Sequence, residues 1–185
     1  MSNSGNRVIR YSLSVRILHW GMAALVFSML FAGLLMVRSL EPWQPTLLSM
    51  HKSFGIIAFV AVVFRVVVRL MSAAPSLPAG LSGLQRLIAR GSHLLLYVAM
   101  IVLPVSGYLM QNAAGRPLTF FGQFAMPPVL PTSLDTYGLL REVHGLMALG
   151  LMGLVLLHIA GALYHGWVRK DGVLQTMLSY RRDQH

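Results

Sequence analysis

Four long apolar runs, set apart by short stretches that collect nearly all the charge, make up most of this 185-residue chain. With charged residues taken as borders, the runs predict helices over residues 17–38, 47–70, 91–113 and 141–168. About 20 apolar residues suffice for a helix to cross a ~30 Å hydrocarbon core. The first run follows a basic N-terminus and stays uncharged from 17 to 37, longer than the core of a cleaved signal peptide, so it reads as a retained span. The second has an uncharged core of only 53–64 and is expected to be the weakest of the four by hydropathy. Pro104 sits in the middle of the third; neighbouring helices can satisfy the carbonyl it frees, and a kink is expected there. The fourth carries no Asp, Glu, Lys or Arg from 143 to 168. A Pro-, Gly- and Arg-rich loop precedes the third run, and the longest connection, 114–140, holds four prolines and is placed to cap one mouth of a bundle. A short amphipathic tail follows the fourth run. No internal repeat or second domain is visible, so the predicted fold is an all-α membrane protein, one four-helix bundle over 1–185.

Composition agrees with this pattern. The chain is 56% hydrophobic and 11% charged, where a soluble domain carries about a quarter charged residues. The net charge of +10 does not mark a nucleic-acid binder, because the basic residues lie between apolar spans rather than on a soluble face. They are distributed unequally. One side of the membrane receives Arg7, Arg10, Arg16, Arg65, Arg69, Arg86, Arg90, Arg169, Lys170, Arg181 and Arg182; the other receives Arg38, Lys52, Arg116 and Arg141. The positive-inside rule then puts both termini in the cytoplasm. The absence of cysteine excludes disulfides, thiolate metal sites, iron–sulfur clusters and thioether-linked haem.

The histidines carry the candidate chemistry. His144 and His158 lie fourteen residues apart on the fourth run, almost four helical turns, so they share a face at depths ~21 Å apart. In an up-down bundle His51 on the second run falls at the depth of His144, and His19 on the first at the depth of His158. Two imidazoles offered across a bundle interior at each of two levels suit two haems held by bis-histidine ligation, with iron as the metal bound by His19, His51, His144 and His158. Zinc or copper fits less well, since each level offers two ligands and a structural zinc takes four. His93 also falls on the inner side, without an evident partner, and is a candidate for supporting that site or a quinone. His165 is expected at the membrane interface. Glycines near the ligands (Gly55, Gly145, Gly161, and Gly33 and Gly107 on the other spans) leave room for a macrocycle. Haem propionates seek cations: Arg16, Arg65 and Arg69 are placed for the inner haem, Lys52 and Arg141 for the outer.

Several segments resemble the bacterial cytochrome b561 family over nearly the whole chain. They are R-I-L-H-W at 16–20, M-H-K-S-F-G at 50–55, F-R-V-V-V-R-L at 64–70, G-S-H-L-L-L-Y at 91–97, L-P-V-S-G-Y at 103–108, V-H-G-L at 143–146, L-H-I-A-G-A-L-Y-H at 157–165 and the K-D-G-V-L-Q-T-M tail. Tyr164, beside His165, departs from the pattern but leaves the four histidines untouched. The resemblance implies a bacterial inner membrane, two haem b, the pairs His19/His158 and His51/His144, and electron transfer between a periplasmic donor and the quinone pool. It further implies a superoxide:ubiquinone oxidoreductase, for which Lys52, Arg116 and Arg141 would attract the superoxide anion. Membrane lipid and ubiquinone are then the expected partners, nucleic acid is not, and the oligomeric state is left open. The rival readings are a haem-bearing anchor for a soluble dehydrogenase and a non-redox metal or solute transporter. The short loops disfavour the first, and the lack of intramembrane carboxylates disfavours the second.

Overall fold

A computed structural model describes residues 11–38, 40–71 and 82–178. Its frame is four long helices: α1 (Leu13–Arg38), α2 (Gln44–Met71), α3 (Gly83–Ala113) and α4 (Leu134–Leu163). All four are long and apolar enough to cross a membrane. Helices consecutive in sequence pack on one another, α3 and α4 most extensively. The arrangement is up and down, so two ends can be distinguished. One, the basic end, gathers the start of α1, the Arg-rich end of α2 and the end of α4. The other, the hairpin end, gathers the start of α2, the end of α3 and the start of α4.

Little of the chain is buried against itself. Among the described residues the buried apolar side chains are Met22, Val62, Ala99 and Leu151 within the bundle and Ala113 and Leu118 at the hairpin end, with the polar residues Ser53, Ser106, Gln111 and Asn112. Large apolar side chains such as Phe27, Phe31, Val60, Leu95 and Leu157 point outward. In water such continuous apolar exposure would drive aggregation; facing lipid it is the expected surface of a spanning bundle.

Helix boundaries depart from the predicted ones where a polar start lies beyond the charge-free run. α3 begins at Gly83 rather than 91, because Ser82 and Gln85 form a reciprocal capping box: the Ser82 side chain accepts from the Gln85 backbone, and the Gln85 side chain accepts from that of Ser82. Such a cap stabilises a helix start by about 1 kcal/mol. α4 begins at Leu134 rather than 141, with Ser133 accepting from Thr136 N–H and Asp135 in the first turn, where the helix dipole favours an acid. Both helices extend past the apolar core by two turns. The expected weakness of the second span is also corrected. α2 has the most apolar window of the four and α3 the least, because its Val, Ile and Phe content outweighs the interruptions at Lys52, Arg65 and Arg69.

The long connection is a strap across the hairpin end. It folds as a two-stranded antiparallel hairpin, β1 (Thr119–Phe120) and β2 (Phe124–Ala125). Fully buried Ser53 ties it to α2, its Oγ accepting the Phe121 N–H at 2.9 Å. Phe121, at φ 46°, packs edge-on against Phe54. Tyr108 donates its hydroxyl to the Pro127 carbonyl, and Asn112 accepts the Val129 N–H, so the far side of the strap is fixed to α3. The expected cap over one mouth is therefore present.

At the other end α4 continues as a π-helical turn, Tyr164–Arg169, and the chain reverses at Lys170 and Gly172, both at positive φ. A short helix, α5 (Gln175–Leu178), then lies back against the start of α1. Arg16 Nε and Trp20 Nε1 both donate to the Met177 carbonyl, at 3.2 and 3.1 Å. Any side chain at Gly166 would run into Leu174. The tail is a docked clasp, which its amphipathic pattern alone did not specify. The remainder of the predicted tail, with Arg181, Arg182 and His185, lies outside the described residues, as do Arg7, Arg10 and the loop prolines Pro75 and Pro78.

Candidate functional site

Two imidazole pairs face each other inside the bundle. At the basic end His19 of α1 meets His158 of α4 with ring centroids 6.2 Å apart and planes at 62°. At the hairpin end His51 of α2 meets His144 of α4 at 6.5 Å and 73°. The pairs match those expected from depth. A metal held between two imidazoles at about 2 Å from each nitrogen places the ring centroids roughly 6 Å apart. Both pairs have that separation, so the residues present fit a haem iron, which either pair of imidazoles could hold.

Their surroundings differ. At the hairpin end, a Cβ on Gly33 would stand 3.8 Å from His51 Cε1, and one on Gly107 would stand 3.2 Å from His144 Cε1. The absent side chains of Gly33 and Gly107 thus give the two rings their space. Around Gly145 and Gly161, also expected to leave room, a Cβ would meet nothing within 4 Å. His51 Nδ1 is buried without a hydrogen-bond partner among the described residues. His144 Nδ1 lies 3.0 Å from Ser106 Oγ. Replacing Gly107 by valine is expected to push His144 off its axis and to cost the protein the haem of that level, while the basic-end haem stays. Haem counted per chain by pyridine haemochrome checks this, and two haems in Gly107→Val would refute it.

At the basic end Arg65 donates from Nη2 to His19 Nδ1 at 2.9 Å, and its Nη1 is buried without a partner among the described residues. A guanidinium has no acceptor, so His19 Nδ1 must present its lone pair. Iron ligation through Nε2 needs the opposite tautomer, so loading this level requires Arg65 to turn to another acceptor. An anionic propionate is such an acceptor. Arg69, one turn on, is exposed, while half-buried Arg16 is engaged with the Met177 carbonyl. At the hairpin end Lys52 is half-buried, and Arg141 and Arg116 are exposed.

One histidine differs from expectation, and another makes a contact that the sequence did not show. His93, predicted to have no evident partner, lies against His158 with centroids 5.5 Å apart, closer than the axial pair itself. His165, predicted as an interfacial residue, is half-buried and donates from Nδ1 to Asp171 Oδ2 at 2.6 Å, with Arg169 Nε 3.5 Å from the same oxygen. These contacts to Asp171 hold the reversal that brings the tail beneath the bundle. Its signal was the K-D-G sequence, with Asp171 the one acid at this end of the described chain.

Histidines paired at two depths of a four-helix membrane bundle are the architecture of a membrane-embedded haem protein. The sequence pattern of the prokaryotic cytochrome b561 family matches residues 10–180, and the chain belongs to that family. It is 33% identical over 171 residues to cytochrome b561 homolog 2 of Escherichia coli (strain K12), covering 91% of each chain. It is 27% identical to cytochrome b561 homolog 1 of the same organism, over 94% of this chain and 99% of that one. It is 28% identical to the probable superoxide oxidase CybB of Yersinia pestis, over 78% and 80%. Family membership makes this chain a haem b-binding membrane protein of electron transfer, an oxidoreductase in the broad sense.

Proposed function

We propose that the chain binds two b haems, one between His19 and His158 and one between His51 and His144, and carries electrons across a bacterial inner membrane from periplasmic superoxide to ubiquinone. The observation that carries this reading is the pair of imidazole separations, 6.2 and 6.5 Å, at two levels of one bundle. The basic end faces the cytoplasm with both termini, because Arg16, Arg65, Arg69, Arg86, Arg90, Arg169 and Lys170 gather there. The hairpin end is then periplasmic. Superoxide as donor is supported by the name of the Yersinia relative and by the cations Lys52, Arg116 and Arg141 at the end it would reach. A small anion approaching such a surface is steered in a salt-dependent manner.

When bound, haem supplies reversible one-electron exchange. The chain's own part would be to hold each haem between two imidazoles, His19 with His158 and His51 with His144. The apolar helices exclude water and lower the local dielectric, and Arg65, Arg69, Arg16, Lys52 and Arg141 supply positive charge for propionates. Purified protein is expected to show two bis-imidazole low-spin b haems per chain, to be reduced by superoxide faster at low salt, and to pass the electrons to ubiquinone. Haems that superoxide leaves oxidised, but that a soluble dehydrogenase reduces, would move the assignment to an anchor subunit.

A further inference from the structure

The four imidazoles are not equivalent in their outer hydrogen bonds, and Ser106 on α3 makes the difference at the hairpin end. Its side chain is almost fully buried, 4% exposed, and Oγ has two neighbours: the Leu103 carbonyl oxygen at 2.9 Å and His144 Nδ1 at 3.0 Å. A hydroxyl has one proton to give. Were it given to His144, two oxygens would face each other at 2.9 Å with no hydrogen between them, a repulsive contact in a buried place. Given to Leu103, it leaves a lone pair on Oγ to accept a proton from His144 Nδ1. Only the second arrangement satisfies both contacts, and the Leu103 carbonyl, which also interacts with His144, favours a proton on the same ring.

We infer that Ser106 is a positioning residue that fixes His144 as the Nδ1-protonated tautomer, so that Nε2 presents its lone pair to iron. The inference rests on the ligation proposed above and adds to it an asymmetry between levels. His51, across the same site, has its Nδ1 buried without a partner among the described residues. His19, at the basic end, has its Nδ1 turned to the Arg65 donor, the opposite polarity. Of these three, His144 alone is already set for its ligand role. Gly107, the next residue along α3, clears the space beside the same ring, so two adjacent residues of one helix aim one ligand on another. An acceptor on the outer nitrogen makes an imidazole a stronger donor to its metal. A stronger donor stabilises ferric over ferrous iron, so Ser106 lowers the potential of the hairpin-end haem.

The test is a redox titration of the full-length, haem-loaded protein in four forms: unchanged, Ser106→Ala, Ser106→Thr and Ser106→Val. The hairpin-end wave is identified as the one absent in His144→Ala. Threonine and valine have nearly one shape and differ in the hydroxyl. The expected result is a rise in that wave alone for Ala and Val, with Thr close to the unchanged protein. Transfer of the same haem to apomyoglobin should be about tenfold or more faster in Ala and Val than in Thr. The basic-end potential should not move. An unmoved hairpin-end wave in Ala and Val overturns the inference, as does a shift in Thr equal to that in Val, which would make shape the cause. Unchanged protein lacking two bis-histidine haems would refute the ligation itself, and is read before any Ser106 variant.

Discussion

Replacing His158 by alanine is expected to leave one haem per chain and to abolish electron passage between the two faces of the bundle. The ring it removes is the α4 half of the basic-end pair, 6.2 Å from His19. A lone axial imidazole holds haem weakly in a chain with no thioether link available. The hairpin-end pair is ~21 Å away along α4 and shares no ligand with it, so that haem should remain, with its potential little changed. The measurement is haem per chain by pyridine haemochrome, with a redox titration reduced to a single wave. Two haems retained even in His93→Ala/His158→Ala would contradict the assigned pairing. His93 makes the experiment sharper, since its ring is 5.5 Å from that of His158 and is the nearest substitute ligand. A second haem that survives in His158→Ala but disappears in His93→Ala/His158→Ala would make His93 the replacement.

The second large effect is expected at Arg65. Its guanidinium is part-buried, contacts His19, and keeps one nitrogen without a partner among the described residues. Arg65→Ala removes a fixed positive charge beside the basic-end level, which favours the oxidised, more positive iron, so that potential should fall. At an effective dielectric of about 20, a unit charge about 10 Å distant contributes about 1.7 kcal/mol, which for one electron is about 70 mV. Arg69→Ala should shift it less, because Arg69 is exposed and solvent screens it. Arg65→Lys keeps the charge but loses the planar fork, and should recover most of the potential. Unchanged haem content and potentials in both alanine variants would remove the arginines from any role toward propionates.

How much of this was legible in the sequence depends on what kind of information each feature needs. Spans were legible because twenty apolar residues cannot be left in water, and the up-down order of four spans places every histidine at a depth. Depth alone paired His19 with His158 and His51 with His144. Direction around a helix axis is another matter. His93 was assigned its level, but whether its ring turns toward α4 depends on how α3 and α4 pack, which a run of Leu, Val and Ala barely encodes. The same reason hid Ser106, whose partner lies 38 residues away on the neighbouring helix. The early starts of α3 and α4 could have been read from Ser82 with Gln85 and from Ser133 with Asp135. Counting only uncharged residues passed over those caps.

The clasp beneath the basic end has a consequence for how the molecule is made. The carbonyl that receives both Arg16 and Trp20 belongs to Met177, 161 and 157 residues further on. On the ribosome the first helix therefore emerges with these two donors waiting for a partner that is synthesised only after all four spanning helices. His51 and His144 have both been made before that segment appears. The end of the bundle where the first helix starts is thus closed only after the fourth helix has been made.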